Sequence, residues 1–271
     1  MVRERIETRR VALVTGANGA IGQAIAHQLA ALPGYELVLV GRNESQLAAT
    51  TEAVRATTGN PQVQYEIADL SRQADILALA DRWSGPLHVL VNNAAATPRR
   101  RLETPEGVEM QWATNVLGYF WLIQAFRDRL IHSAPARVVN VASYYAGNLD
   151  LTDVEFKRRP YDNNQAYRQS KQANRMLTAA FARRLAAHQV VVNACHPGDV
   201  NSKLSNDLGF GGQTSPDDGA RTPVWLASHP DTATLTGRYC ADEQVVTDPF
   251  TQDETAVEAL YQLCLTYAAE M

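Results

Sequence analysis

Residues 11–32 constrain the fold more than any other stretch of the chain. Residues 11–15, Val-Ala-Leu-Val-Thr, are a short apolar run of buried-strand type. A glycine-rich turn follows at once, Gly16-Ala17-Asn18-Gly19-Ala20-Ile21-Gly22. Apolar residues then recur at helical spacing through Ile25, Ala26, Leu29 and Leu32. Strand, glycine turn and helix in that order make a unit that can hold a pyrophosphate. Glycines let backbone N–H groups approach the phosphates, and the helix N-terminus adds partial positive charge. Candidate contacts are Gly16, Asn18, Gly19, Ala20, Ile21 and Gly22. The plainer alternative is a glycine turn with no ligand, and the flanking strand and helix argue against it.

Further strand and helix patterns alternate along the chain. Residues 36–40 read as a second strand and end in Gly41-Arg42-Asn43. In a dinucleotide fold the residue just past this strand meets the adenosine ribose, where an acid suits NAD and an arginine suits the 2′-phosphate of NADP. Arg42 stands there and no acid does, which points to NADP(H). A helix over 44–58 leads through the turn Gly59-Asn60-Pro61 to a strand over 63–67 and then Ala68-Asp69-Leu70. Asp69 could meet the adenine amine or cap the helix expected over 72–83. A strand over 87–91 ends in Asn92-Asn93-Ala94-Ala95, small residues that let backbone pass close to a flat ligand. The pattern continues with a helix over 108–130, a strand over 137–142, a helix over 163–185 and a strand over 189–195. It closes with a helix over 216–228, a strand over 235–240 and a helix over 253–269. This alternation predicts a single-domain doubly wound (Rossmann) α/β fold: one parallel sheet with helices on both faces.

Composition narrows the function. The chain has 271 residues, 45% of them hydrophobic and 20% charged, with a net charge of −4, which speaks against a general nucleic-acid binder. Cys195, Cys240 and Cys264 are widely spaced with no C-x-x-C, as expected of a reducing compartment. The six histidines are scattered and suggest no metal site. The N-terminus, with Arg3, Glu4, Arg5, Glu7, Arg9 and Arg10, lacks the apolar core of a signal peptide, and no run is long enough to cross a bilayer. A cytoplasmic location is expected.

The segment Tyr167-Arg168-Gln169-Ser170-Lys171 lies in the helix expected over 163–185. A spacing of four puts Tyr167 and Lys171 on one face. A phenol ordinarily ionises near pH ~10, and an ammonium beside it favours the phenolate, so the pair can build an acid/base. An isolated match would be a surface pair, so its weight comes from the rest of the chain.

These features together resemble the short-chain dehydrogenase/reductase family, and within it the retinol-dehydrogenase-like, carbonyl-reducing branch. The resemblance rests on the turn from Thr15 to Gly22, Asp69, Asn92-Asn93-Ala94-Ala95, Asn115, Ser143, Tyr167 with Lys171, and His196-Pro197-Gly198. It implies that Tyr167 exchanges a proton with the substrate oxygen and that Ser143 hydrogen-bonds that oxygen. Lys171 would lower the tyrosine pKa and hold the nicotinamide ribose. Asn115 would support a water that relays protons to Lys171. Asp69, Leu70, Asn93, Ala94 and Ala95 would line the cofactor, Pro197 and Gly198 would pass under the nicotinamide, and the Val200 backbone would meet its carboxamide. Relatives often pair through the helices carrying Asn115 and Tyr167, so a homodimer or a monomer is expected.

Two features depart from the compact pattern. Ala20 stands where that pattern has a glycine, so Gly16, Gly19 and Gly22 also fit the turn of the extended epimerases and dehydratases. Ser143 and Tyr167 are 24 residues apart, about twice the separation in many compact members. Length and the late His196-Pro197-Gly198 favour the compact side; a non-catalytic NADP(H)-binding regulator is a further alternative. Residues 144–165 form an insertion with Tyr144, Tyr145, Leu149, Leu151, Phe156 and Tyr161. Basic runs stand at Arg99-Arg100-Arg101 and Lys157-Arg158-Arg159, either rims that favour an anionic substrate or solvated charge. Residues 201–213, with Gly209, Gly211 and Gly212, suggest a lid. His196 is read as structural. The expected substrate is a small carbonyl or alcohol compound, largely apolar or aromatic.

Overall fold

A computed structural model of the chain describes residues 9–269; Arg3, Glu4, Arg5 and Glu7 lie outside the described residues. Strands β1 (Arg10–Thr15), β2 (Tyr35–Gly41), β3 (Val63–Ile67), β4 (Val89–Asn92), β5 (Ala136–Val141), β6 (Val190–Cys195), β7 (Tyr239–Ala241) and β8 (Gln244–Val246) form one sheet. Their order is β3-β2-β1-β4-β5-β6-β7-β8. All neighbours are parallel except β7 and β8. The chain reverses direction across the sheet between β1 and β4, and in such sheets the crevice beyond the carboxyl ends at that point receives ligands.

The alternation of β1 assigns its side chains to two cores. Val11 and Leu13 join the cluster under Trp112, Phe120, Phe126 and Phe181. Ala12 and Val14 join the opposite cluster with Ile25, Leu29, Leu37 and Leu226. The helices are α1 (Ala20–Ala30), α2 (Glu44–Thr58), α3 (Gln73–Arg82), α4 (Gly118–Ala125), α5 (Arg127–His132), α6 (Asn163–Leu185), α7 (Lys203–Asp207), α8 (Pro216–Ser228) and α9 (Glu254–Ala269). Helices on both faces cover a sheet whose central strands are apolar almost throughout, as a parallel sheet requires.

Two elements differ from expectation. The single helix expected over 108–130 is a π-helical turn, Trp112–Leu117, running into α4, then a break at Phe126 before α5. The buried Glu109 carboxylate accepts the Gln111 and Trp112 amides at 2.9 and 2.7 Å and so fixes where the winding begins. At the break, Phe126 is buried edge-on against Trp83 at 5.2 Å. The strand expected over 235–240 is ordered as β only from Tyr239. The left-handed Gly237 turns the chain before it. Strand β8 has no counterpart among the expected strands. It pairs through a tight turn in which Asp242 and Glu243 both take positive φ, a hairpin geometry usually signalled by Asn-Gly.

Candidate active site

The glycine turn is built by close backbone approach. Gly16 has φ +63° and donates its N–H to Val40 O at 2.8 Å; a Cβ on it would lie 2.7 Å from Ala94 Cα. A Cβ on Gly22 would lie 2.2 Å from Gly16 O. Gly19 is the N-cap of α1, and the first intrahelical bond is Gln23 N to Gly19 O. The amides of Ala20, Ile21 and Gly22 therefore stand ahead of the helical ladder, free to donate outward. Thr15 Oγ accepts the Asn93 and Ala94 amides at 2.8 and 3.1 Å, and Asn93 Nδ2 donates to Thr15 O at 2.9 Å. The turn after β1 and the Asn93-Ala94-Ala95 loop after β4 are thus one unit.

Arg42 is exposed at the carboxyl end of β2 and forms no ion pair among the described residues. Asn18 approaches the same edge and donates to Gln46 Oε1 at 2.8 Å. Asp69 Oδ1 accepts from the Ser71 amide and hydroxyl at 3.0 and 2.7 Å, so its carboxylate shapes the turn before α3. Leu70 is buried and its carbonyl packs on Gly118. These residues fit a dinucleotide: open amides for phosphates, a cradle that a Cβ at Gly16 would disrupt, and an unpaired guanidinium at the ribose end.

Asn115 lies in the π-helical turn and is fully buried. Its amide brackets Ala96, accepting from Ala96 N at 2.8 Å and donating to Ala96 O at 3.0 Å, and reaches Ser170 Oγ at 3.3 Å. It ties the loop after β4 to α6. No bond from Asn115 to Lys171 is present among the described residues. Ser143 follows β5, and its hydroxyl accepts the Tyr145 amide at 3.0 Å. Tyr167 and Lys171 share one face of α6, with the Lys171 Nζ 5.5 Å from the Tyr167 ring centre and donating to Val141 O at 2.8 Å. Asn115, Ser143, Tyr167 and Lys171 thus converge at the carboxyl ends of β4 and β5, from three stretches of chain.

The electrostatics depart from expectation. Burial pushes the Tyr167 phenol up to about 12; a hydrogen bond with Ser143 opposes that rise, and the Asp199 charge adds to it. Burial brings Lys171 down to about 7. The expected lowering of the phenol by Lys171 is not seen in this geometry. The reason is the order of titration: an amine that loses its proton near pH 7 carries no charge where the phenol would ionise. Tyr167 is held as a protonated phenol at neutral pH.

The insertion reaches this phenol through Tyr145, and the 201–213 segment reaches Tyr145 through Phe210. The Tyr145 ring lies 6.5 Å from the Tyr167 ring at 29°, and Phe210 meets Tyr145 edge-on at 6.0 Å. Tyr144 donates to Asp199 Oδ2 at 3.2 Å and lies edge-on to His196 at 4.6 Å. Phe156 and Tyr161 turn inward instead; Tyr161 donates to Pro98 O at 3.0 Å and accepts from Gln111 at 2.9 Å. Arg168 lies over the Tyr145 ring at 5.1 Å. The basic runs are largely engaged within the protein. Arg101 bonds Glu103 and Glu155 O, Lys157 bonds Glu155, Arg158 bonds Thr152 O, and Arg159 meets Asp153 and the Phe156 ring. Arg99 lies 3.8 Å from Asp207 of α7, and Arg100 has no ion pair among the described residues.

His196 is held neutral, with burial lowering it to about 4. Gly198 has φ +85° against Thr214, and Val200 forms a bridge with Thr214. A Cβ on Gly219 of α8 would strike Val200 Cγ2 at 2.4 Å, so the Pro197–Gly198–Val200 loop is pressed between α8 and the base of the 201–213 segment. Sequence reading passed over Asp199 and Phe210. Neither sits in a periodic pattern, and only the folded loop brings them beside Tyr144 and Tyr145.

The family described as short chain dehydrogenase matches residues 10–209. A probable oxidoreductase of Streptomyces antibioticus is 36% identical over 259 residues, 88% of this chain and 86% of its own length. Retinol dehydrogenase 13 of Homo sapiens is 31% identical over 273 residues, 93% of this chain and 82% of its own. A crystal structure of an uncharacterized protein from Mycobacterium paratuberculosis superposes with a TM-score of 0.80 at 27% identity, over 96% of this chain and 93% of that one. The chain belongs to the short-chain dehydrogenase/reductase family, where its sequence is similar to the retinol-dehydrogenase branch. It is an oxidoreductase of that family.

Proposed function

We propose that the protein reduces a ketone or aldehyde with NADPH, reversibly, with Tyr167 as the proton donor. The observation that carries this reading is the buried Tyr167 phenol, kept protonated beside the Ser143 hydroxyl and backed by Lys171. A protonated phenol is the form that reduction needs, because the carbonyl oxygen must gain a proton as its carbon gains hydride. The bound cofactor supplies the hydride. Ser143 donates its hydroxyl to the substrate oxygen, Tyr167 delivers the proton, and Lys171 stands behind the phenol to restore it. Asn115 holds the Ala96 loop and α6 in register so that these groups stay aligned.

Gly16, Asn18, Gly19, Ala20, Ile21 and Gly22 would take the pyrophosphate side of the cofactor. Asp69, Leu70, Asn93, Ala94 and Ala95 would line the adenosine side, and Pro197, Gly198 and Val200 the nicotinamide. Arg42 would meet the 2′-phosphate, since no acid stands at the end of β2 to prefer the bare hydroxyl. Residues 201–213 would act as the lid. The three free, buried cysteines suit a cytoplasmic location. Among the described residues no helix is long and apolar enough to cross a membrane. Tyr261 of α9 packs on Phe120 of α4 and Phe181 of α6 at 5.2 and 5.4 Å, and this covering of the two helices favours a monomer.

The test is cofactor oxidation against a panel of aromatic, polycyclic and aliphatic ketones and aldehydes, with NADPH and NADH in parallel. At least one panel member should be reduced, with NADPH preferred. Failure of every carbonyl with both cofactors would overturn the reading.

A further inference from the structure

We infer that Asp199, with Tyr144 hydrogen-bonded to it, anchors a cationic group of the substrate. The preferred carbonyl compound would then carry a protonated or quaternary amine on an apolar body. This rests on the carbonyl-reducing reading of the same site.

Asp199 does no visible work for the fold. Its carboxylate accepts one hydrogen bond among the described residues, from the Tyr144 hydroxyl at 3.2 Å, and caps no turn or helix. Its backbone, by contrast, is clamped. Asp199 O accepts the Gln213 and Thr214 amides, each at 2.9 Å, and a Cβ on Gly212 would lie 2.7 Å from that oxygen. A rigid main chain therefore presents a carboxylate that the protein does not use internally, which is the preorganisation a binding group needs.

The Asp199 side chain is open to solvent. Asp199 has no ion pair with Lys, Arg or His among the described residues. The His196 ring, edge-on to Tyr144, is neutral at physiological pH, and its Nδ1 has no hydrogen-bond partner among the described residues. Arginines and lysines of the two basic runs are mostly drawn to Glu103, Asp153, Glu155 and Asp207. Arg168 lies over the Tyr145 ring at 5.1 Å and forms no ion pair with Asp199 among the described residues. The aromatic surroundings fit the same ligand. Tyr144, which bonds the carboxylate, is 57% exposed, and the face of such a ring attracts cations by about 0.5–1 kcal/mol even when solvated. Tyr144, which bonds Asp199, is the chain neighbour of Tyr145, whose ring lies 6.5 Å from that of Tyr167, so a group held by Asp199 stands on the phenol's side of the crevice.

The experiment has a binding arm and a turnover arm, both on the full chain with saturating NADPH. The binding arm compares benzyltrimethylammonium with its uncharged isostere, neopentylbenzene. The cation should bind about five- to tenfold tighter, and Asp199→Asn should bring the ratio to about one, with Tyr144→Phe in between. The turnover arm compares acetophenones bearing aminomethyl, ethyl or carboxylate at the para position. Their kcat/KM should fall in that order in the parent, and the aminomethyl-to-ethyl ratio should collapse in Asp199→Asn. Equal ratios in parent and Asp199→Asn, or a preference for the carboxylate, would overturn the subsite. Cation-selective binding that needs Asp199, with no ketone reduced, would uphold the subsite and overturn carbonyl reduction.

Discussion

On the side of the crevice proposed for the cofactor, nearly every contact engages main chain: Gly16 N on Val40 O, Gly19 N on Gly16 O, and the Asn93 and Ala94 amides on Thr15 Oγ. On the side proposed for the substrate, side chains hold side chains: Tyr145 against Tyr167 and Phe210, Tyr144 on Asp199, and Arg168 over Tyr145. Backbone contacts tolerate change in most side chains but not in a few glycines. Side-chain contacts can be exchanged one at a time. The first arrangement suits a part every relative must share, and the second suits a part each relative alters to take its own substrate.

Substitutions can break this contrast, beginning with the largest expected effect. Tyr167→Phe should lower kcat by about 10²–10⁴, the worth of a positioned proton donor, while titration of NADPH gives an affinity near that of the parent. A matching loss of affinity would mean that the two sides are not separable. Next is Gly22→Ala. Its Cβ would meet Gly16 O at 2.2 Å and Asn93 Nδ2 at 2.8 Å, an overpacking of about 1–3 kcal/mol that should weaken NADPH roughly tenfold or more and lower Tm. Gly209→Ala is the control, with nothing within 4 Å of its Cβ. Its positive φ should cost about 1 kcal/mol locally and leave NADPH affinity unchanged.

Arg42→Asp should weaken NADPH by about tenfold relative to NADH, since a 2′-phosphate would lose a cation and meet an anion. Equal losses for both cofactors, read from paired Kd values, would remove the NADP preference. A smaller effect concerns pH and stability. Lys171 in the fold, at about 7, binds its proton less well than the ordinary value of 10.5. Between those values the unfolded chain carries more protons, so this group makes stability rise with pH and fall again as pH drops toward 7. Lys171→Met should lack this slope. Its Tm relative to the parent should be highest near pH 7 and decline toward about pH 10. The least effect is expected from Arg158→Ala, whose guanidinium already serves Thr152 O. The ratio of kcat/KM for neutral and anionic ketones should change by less than ~twofold.

The contrast also explains what was legible in the sequence. Helices α2, α6 and α8 and strand β3 run where their apolar spacing and caps indicate, because local chemistry sets them: Asn43, Asp162 and Ser215 each cap a first turn. The cofactor turn is legible for the same reason, since its glycines are required by geometry within a few residues. What stayed hidden is long-range. The titration of Tyr167 and Lys171 depends on how deeply both are buried, which spacing along α6 does not reveal. The basic runs read alike as rim or as solvated charge until their partners, Glu103, Asp153, Glu155 and Asp207, come beside them. Asp199 gains a role only when the loop after β6 meets the insertion after β5. The start of the helix before α4 is set by a buried Glu109, a residue that sequence alone would leave in solvent.

The most direct test of the account is the fate of deuterium carried at both positions on C4 of NADPH (4,4-dideuterated) when the protein turns over a ketone. The account predicts that the label arrives on the carbinol carbon, one per cofactor oxidised, and that Tyr167→Phe slows its arrival by orders of magnitude. Label that stays on the cofactor while a substrate is epimerised or dehydrated, with no net oxidation, would contradict it.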